Sequence, residues 1–201
     1  MPVVYKALAL LSPLFLSGLA SLIVPNLTRL DFLPLREGDE WVMAAELVSA
    51  AGDTSQTTAR RVVLEPVKRG SNTYHRVQLT IGADSRVIFS RLIRKDRHGY
   101  YSFDEKGREH LEIALPLKPG ATWERAANGE TLKVSVIDIE TLTIEGRDYP
   151  GCYHLHAASS DGQYWEDDWQ TMKIGSVQSI VSQRDGERLT LTLREFKRGG
   201  R

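Results

Sequence analysis

After Asn26 no stretch of the chain sustains a helical period; short alternating runs closed by turn signals recur instead. "TTARRVVLEPV" (Thr57–Val67) stops at "KRGSN", "TYHRVQLTI" (Thr73–Ile81) at "GADS", and "RVIFSRLIRK" (Arg86–Lys95) at "DRHG". "YYSF" (Tyr100–Phe103), "REHLEIAL" (Arg108–Leu115) and the long "ETLKVSVIDIETLTI" (Glu130–Ile144) continue the pattern. "CYHLHAAS" and "QYWEDDWQ" flank Asp161-Gly162, the strongest hairpin signal in the chain, and "SVQSIVSQ" and "ERLTLTLREF" flank Arg184-Asp185-Gly186. "WVMAAELVSAAG" (Trp41–Gly52) mixes helix formers with a strand-like position and is read as a strand.

About ten such strands on short turns predict a mainly β chain: a single curled antiparallel sheet, half-barrel or open barrel, with an N-terminal apolar segment. Such a sheet buries one face of each strand and wets the other. Residues 27–201 are read as one domain, because no linker-like shift in composition divides them. A repeated motif leaves open two related halves, 31–115 and 116–196. "PLREGDEW" (Pro34–Trp41) and "PLKPGATW" (Pro116–Trp123) share Pro, Leu, a basic residue, Gly and Trp in one register. Proline favours an edge or turn, glycine allows a bend that a Cβ would obstruct, and tryptophan brings a large apolar surface to the outgoing strand. The simplest reading of the motif is a strand-opening device.

Residues Ala7–Val24 carry no charge, follow Lys6 and include Gly18 and Ala20. They fit a secretory signal peptide, residues 1–20, or alternatively a membrane anchor over 7–24. Leu19 stands where a bacterial lipoprotein signal would need cysteine, so acylation there is not supported. The expected location is therefore exported: periplasmic, or membrane-anchored and facing the periplasm or exterior. Lys plus Arg and Asp plus Glu are both 26, which argues against a nucleic-acid partner. The basic end, Lys197–Arg201, reads as a solvated tail. With Cys152 alone, no intramolecular disulfide can form and the core must supply the stability.

"DFLPLREGDEW" resembles the opening of a broad group of exported, uncharacterised bacterial β proteins that begin with an aromatic residue, Pro-Leu, a Gly and a Trp. "YWEDDWQTMKIGSVQS" (Tyr164–Ser179) is similar to that group's late aromatic segment, with Gly175, Val177 and Ser179 in place. It departs from the group at Glu166–Lys173, where an apolar segment with Pro and Gly is usual. The resemblance implies a curled half-barrel similar to periplasmic lipoprotein carriers. It transfers no functional residue.

Two sets of side chains could carry function. In "CYHLH", alternation places Cys152, His154 and His156 on one face, and an Asp161-Gly162 hairpin sets His156 against Asp167, His154 against Trp169 and Ala158 against Trp165. Cys152, His154, His156 and Asp167 are thus candidate zinc or copper ligands, and histidines packed on tryptophan are the structural alternative. Trp41, Trp123, Tyr164, Trp165 and Trp169 are candidate ligand-binding residues. Alternation puts Asp167 on the face opposite Glu166 and Asp168, which weakens a carboxylate-pair argument. No phosphate loop, zinc-protease helix, nucleophile elbow or dinucleotide fingerprint is present, so no catalytic residues and no cofactor are expected.

The sequence therefore favours a non-catalytic envelope protein that binds a lipid, another apolar or amphipathic ligand, or a partner protein in a curved sheet. A structural or assembly module, and a metal-dependent hydrolase centred on Cys152, His154 and His156, are the alternatives.

Overall fold

The computed structural model describes residues 31–200 apart from 105 and 128. The expected signal peptide (1–20) and the alternative anchor (7–24) lie outside the described residues. Among the described residues, no helix is long and apolar enough to cross a membrane.

Among the described residues twelve strands follow one another: β1 (Glu40–Val48), β2 (Thr54–Arg69), β3 (Asn72–Ile81), β4 (Arg86–Lys95), β5 (Gly99–Phe103), β6 (Glu109–Ala114), β7 (Thr122–Ala127), β8 (Glu130–Ile144), β9 (Arg147–Ala158), β10 (Trp165–Thr171), β11 (Gly175–Ser182) and β12 (Arg188–Lys197). They form one antiparallel sheet in the order β6-β5-β4-β3-β2-β1-β12-β11-β10-β9-β8-β7, curled into a nearly closed barrel. The expected mainly β, single-sheet architecture is the one observed. From the central β1–β12 pair the sheet runs outward as two meanders. Its two edges, β6 and β7, are consecutive in sequence.

The ambiguous Trp41 segment is strand β1, whose burial alternates from Glu40 to Glu46 as period two requires. Trp41, Met43 and Ala45 enter the interior, and Trp41 is 0% exposed. Burying that indole contributes on the order of 3 kcal/mol. Bulges bend the long strands so that the sheet can curl. One lies in the β2–β3 pairing between Val63 and Pro66, where a residue without an N–H breaks the ladder at low cost.

The two motifs adopt one geometry. Gly38 (φ 83°) and Gly120 (φ 82°) each donate an N–H over 2.8 Å, to the carbonyls of Val63 and Val136. Val63 and Val136 return N–H bonds of 2.9 Å to the carbonyls of Asp39 and Ala121.

Both ends of the described segment are tied in. Phe32 is fully buried and meets Tyr153 edge-on at 4.9 Å, while Asp31 O accepts from Lys173 N at 2.7 Å. The C-terminal tail is solvated at Lys197, Arg198 and Gly200, as its composition suggests, but it is pinned at one residue. Gly199 is buried and donates its N–H to Asp39 Oδ1 at 2.9 Å, and Arg198 reaches Lys173 O at 3.0 Å. Asp39 is only 1% exposed, so its carboxylate can be held there because main-chain donors satisfy it: the other oxygen accepts from Arg36 N at 3.0 Å.

Candidate functional site

The interior holds two apolar clusters. The larger contains Trp41, Met43, Val77, Tyr100, Leu155 and their neighbours; the smaller contains Ala127, Leu132, Val134, Ala157 and Tyr164. Trp123 packs against both. Between them lies a cavity of about 140 Å³. Leu33, Val77, Phe89, Ile93, Ile113, Val134, Leu155 and Ala157 give it apolar walls.

The same cavity is lined by Arg61, Arg91, Arg125, Glu112, Glu166, Asp168 and Gln170. Strand alternation explains how they arrive there. Ala59, Arg61 and Val63 share the inner face of β2, and Glu166, Asp168 and Gln170 share that of β10. Arg125 follows Trp123 inward on β7, and Glu112 enters from β6.

Two of the carboxylates are well paired. Glu112 accepts from His110 Nε2 at 3.1 Å and from the Ser102 hydroxyl, and it lies 3.4 Å from Arg91 and 3.7 Å from Arg125. Burial pushes the Glu112 carboxyl upward, but the His110 hydrogen bond, the charges of Arg125 and Arg91 and the Ser102 hydroxyl together hold it at about 2. Glu166 pairs with Arg125 and accepts from the Tyr164 hydroxyl. Burial opposes the Arg125 charge, yet Glu166 and Glu112 outweigh it and hold this guanidinium above its ordinary range.

Asp168 and Arg61 differ. Asp168 accepts from Ser176 Oγ and from Gln170 Nε2, both at 2.5 Å, and burial still pushes its carboxyl above the usual range. The Arg61 side chain forms no ion pair or hydrogen bond among the described residues; its guanidinium carbon sits 6.0 Å from the centre of the Trp41 ring. Burial pulls its proton affinity down, against the field of Asp168 and with that of Arg91. The Nε atoms of Arg61 and Arg125 and the Oε1 of Gln170 are buried without a hydrogen-bond partner.

Of the five aromatic residues singled out in the sequence, only Trp123 lines the cavity. Its indole N–H donates to Glu112 O at 3.0 Å. Trp41 is sealed in the core, donating to Ile174 O at 2.5 Å and packing on Phe196. Tyr164 is buried in the smaller cluster. Trp165 and Trp169 lie on the opposite face of β10, where Trp169 stacks on His154 at 4.4 Å and bonds Glu140 at 2.7 Å.

The hairpin around Asp161-Gly162 has the expected register: Ala158 opposes Trp165, His156 opposes Asp167 and His154 opposes Trp169. His154 Nε2 and His156 Nδ1 both lie 2.9 Å from Asp167 Oδ1. Cys152 does not join them. Burial alternates along β9 from Ala158 back to His154 and fails at Tyr153, and Cys152 falls into the core at 0% exposure, its Sγ donating to Tyr149 O at 3.1 Å. Its thiol is pushed up by burial. Among the described residues, no group of three or more His, Cys, Asp or Glu side chains is placed to hold a metal.

Alternation in the sequence puts Glu166 and Asp168 on one face, as observed, but gives them no weight, and it singles out none of Arg61, Arg91, Arg125 and Glu112. The available signal was a charge sharing a face with small or apolar neighbours, as Arg61 does with Ala59 and Val63.

The fold and site define a curled, nearly closed antiparallel sheet around a cavity that is part apolar and part charged. No protein-family model and no curated protein matches the sequence. Solved structures with a similar course include a candidate exported protein of Bacteroides fragilis with a YmcC-like fold, at 13% identity, covering 84% of this chain and 100% of that one, TM-score 0.47. A candidate lipoprotein of Parabacteroides distasonis is 12% identical over 84% of this chain and 99% of its own, TM-score 0.48. A LolA superfamily protein of Nitrosomonas europaea is 10% identical over 84% and 88%, TM-score 0.34. These likenesses are too remote to transfer a ligand or a residue role.

Proposed function

We propose that the chain is a non-catalytic protein of the bacterial envelope that holds an apolar or amphipathic ligand inside its curled sheet. One observation carries this reading: the interior is not filled by its own side chains. The cavity of about 140 Å³ between the two apolar clusters approaches the volume, about 150 Å³, at which an engineered apolar cavity takes up benzene. Its walls combine aliphatic and aromatic surface with a few polar groups, the composition of small-molecule sites. The uncharged run Ala7–Val24 supports export.

The sheet edges favour an interior ligand over an assembly surface. Edge strands β6 and β7 are short, and Trp123 of β7 bonds Glu112 of β6, so the two edges close on each other instead of offering a long open template.

The test is extraction and mass spectrometry of the full chain purified without detergent, followed by thermal shift against single-chain amphiphiles. A co-purifying amphiphile near one per chain, or a saturable rise in melting temperature, is the expected result. Neither extractable ligand nor any shift would overturn the reading.

A further inference from the structure

We propose that the cavity selects a monoanionic, single-chain carboxylic acid, with Arg61 holding the carboxylate and the apolar wall of Val77, Ile93 and Leu155 holding the chain. This rests on the ligand-binding reading above and names the chemistry of its ligand.

The argument begins with charge pairing. Three arginines and three carboxylates line the cavity. Glu112 is shared between Arg91 and Arg125, and Glu166 belongs to Arg125. Asp168 is the remaining carboxylate, and both of its oxygens are committed, Oδ1 to Ser176 and Oδ2 to Gln170. Arg61 is left as the cation without an ion pair. Arg61 is half-buried, with its Nε buried and without an acceptor, which is costly, and that Nε–H belongs to a side chain lining a cavity where an acceptor can sit. Groups held in an unfavourable electrostatic state inside a cleft mark functional sites.

One more donor points the same way. Arg125 lines the same cavity, and its Nε–H is buried there without a partner. The protein thus satisfies this wall incompletely on its own, although buried polar atoms are ordinarily paired.

The surroundings then restrict the anion. A dianion such as a phosphate monoester would meet the fields of Glu112, Glu166 and Asp168 with one unpaired arginine to offset them. A single carboxylate matches one arginine and accepts two parallel N–H bonds from a guanidinium. The apolar remainder of the wall calls for a hydrocarbon tail, and the volume restricts the enclosed part to about the size of a benzene ring.

Calorimetric titration of the full chain with hexanoate and with 1-hexanol, which have the same chain length, tests this. Hexanoate is expected to bind at least tenfold more tightly. Arg61→Met, similar in reach but uncharged, should reduce that ratio to near one. Arg60→Met removes an arginine that pairs with Glu40 on the outer face and should leave the ratio unchanged. Equal binding of the two probes by the unaltered chain would overturn the carboxylate assignment while leaving the ligand-binding reading intact. Binding of neither would overturn both. A ratio that survives Arg61→Met in a variant with unchanged circular dichroism would remove Arg61 from the site. The comparison on the unaltered chain decides the question even if that variant does not fold.

Discussion

The indole N–H of Trp123 donates to the main-chain carbonyl of Glu112 at 3.0 Å, joining the two edge strands at the ends of the sheet order. The motif's second tryptophan therefore helps to close the barrel as well as filling it. Trp123→Phe keeps most of the apolar volume and removes this bond, at a cost of about 1–2 kcal/mol. Hydrogen exchange should show faster exchange confined to β6 and β7. A uniform loss of protection across all twelve strands would instead mean that the indole supports the whole core.

Glu112 gives the site a defined acid response. Its ordinary value is 4.5 and its folded value is about 2, so the folded state favours the ionised form. The stabilisation is fully present above about pH 4.5 and is lost as pH falls toward 2; a depression of this size corresponds to roughly 3 kcal/mol. Glu112→Gln should lower stability at pH 7 and flatten its dependence between pH 4.5 and 2. Urea midpoints of the two proteins at pH 7, 4 and 3 measure this. Parallel curves would show that Glu112 is not the linked group.

Tyr100 fastens the segment that enters the barrel before β1. Its hydroxyl oxygen accepts from Phe32 N at 3.0 Å and Leu33 N at 3.1 Å, and its O–H donates to Asp31 Oδ1 at 3.1 Å. Tyr100→Phe leaves a buried N–H unpaired, at about 1–3 kcal/mol. Limited proteolysis should then cut within residues 31–35 faster than in the unaltered chain, while cleavage in the β9–β10 turn stays the same. Unchanged cleavage at 31–35 would show that Phe32 packing alone holds the segment.

The paired glycines separate backbone strain from crowding. An alanine at Gly120 meets nothing within 4 Å, so Gly120→Ala should cost only the left-handed conformation, about 1–2 kcal/mol. At Gly38 the added Cβ would also lie 3.2 Å from the Cα of Gly199, which is backbone. Gly38→Ala should therefore be the more destabilising of the two and should release the C-terminal tail. Denaturant midpoints rank them, and the reverse order would contradict the shared geometry.

Strands and turns were legible because they depend on local alternation and on Gly, Pro and Asp at turns. Even the His156–Asp167 register follows from counting outward from Asp161-Gly162. The site was not legible, as adjacent Arg60 and Arg61 show. Arg60 turns outward to Glu40 at 2.8 Å, and Arg61 turns inward to the cavity. Their letters are identical, and only the company each keeps by alternation, Ala59 and Val63 beside Arg61 against Thr58 and Val62 beside Arg60, hints at which one turns inward. Cys152 departs from the expected face for a related reason: burial along β9 stops alternating at Tyr153, and a single sequence does not mark where alternation fails.

Arg61 also allows a test that needs no ligand. A half-buried cation with no ion pair and a buried, unpaired Nε carries a desolvation cost that its own structure does not offset, and replacing buried charge with well-packed apolar volume is often neutral or stabilising. Arg61→Met should therefore leave the ligand-free protein unchanged or raise its stability by about 1 kcal/mol. Asp168 tolerates the change because Ser176 and Gln170 hold its oxygens, and burial already favours its neutral form. Urea denaturation of the ligand-free protein at pH 7 measures the difference. A rise accompanied by loss of hexanoate selectivity would show stability given up for binding, as expected where a residue is kept for function. A fall of more than about 2 kcal/mol would make Arg61 a structural support instead, because losses of that size follow the breaking of a formed buried pair.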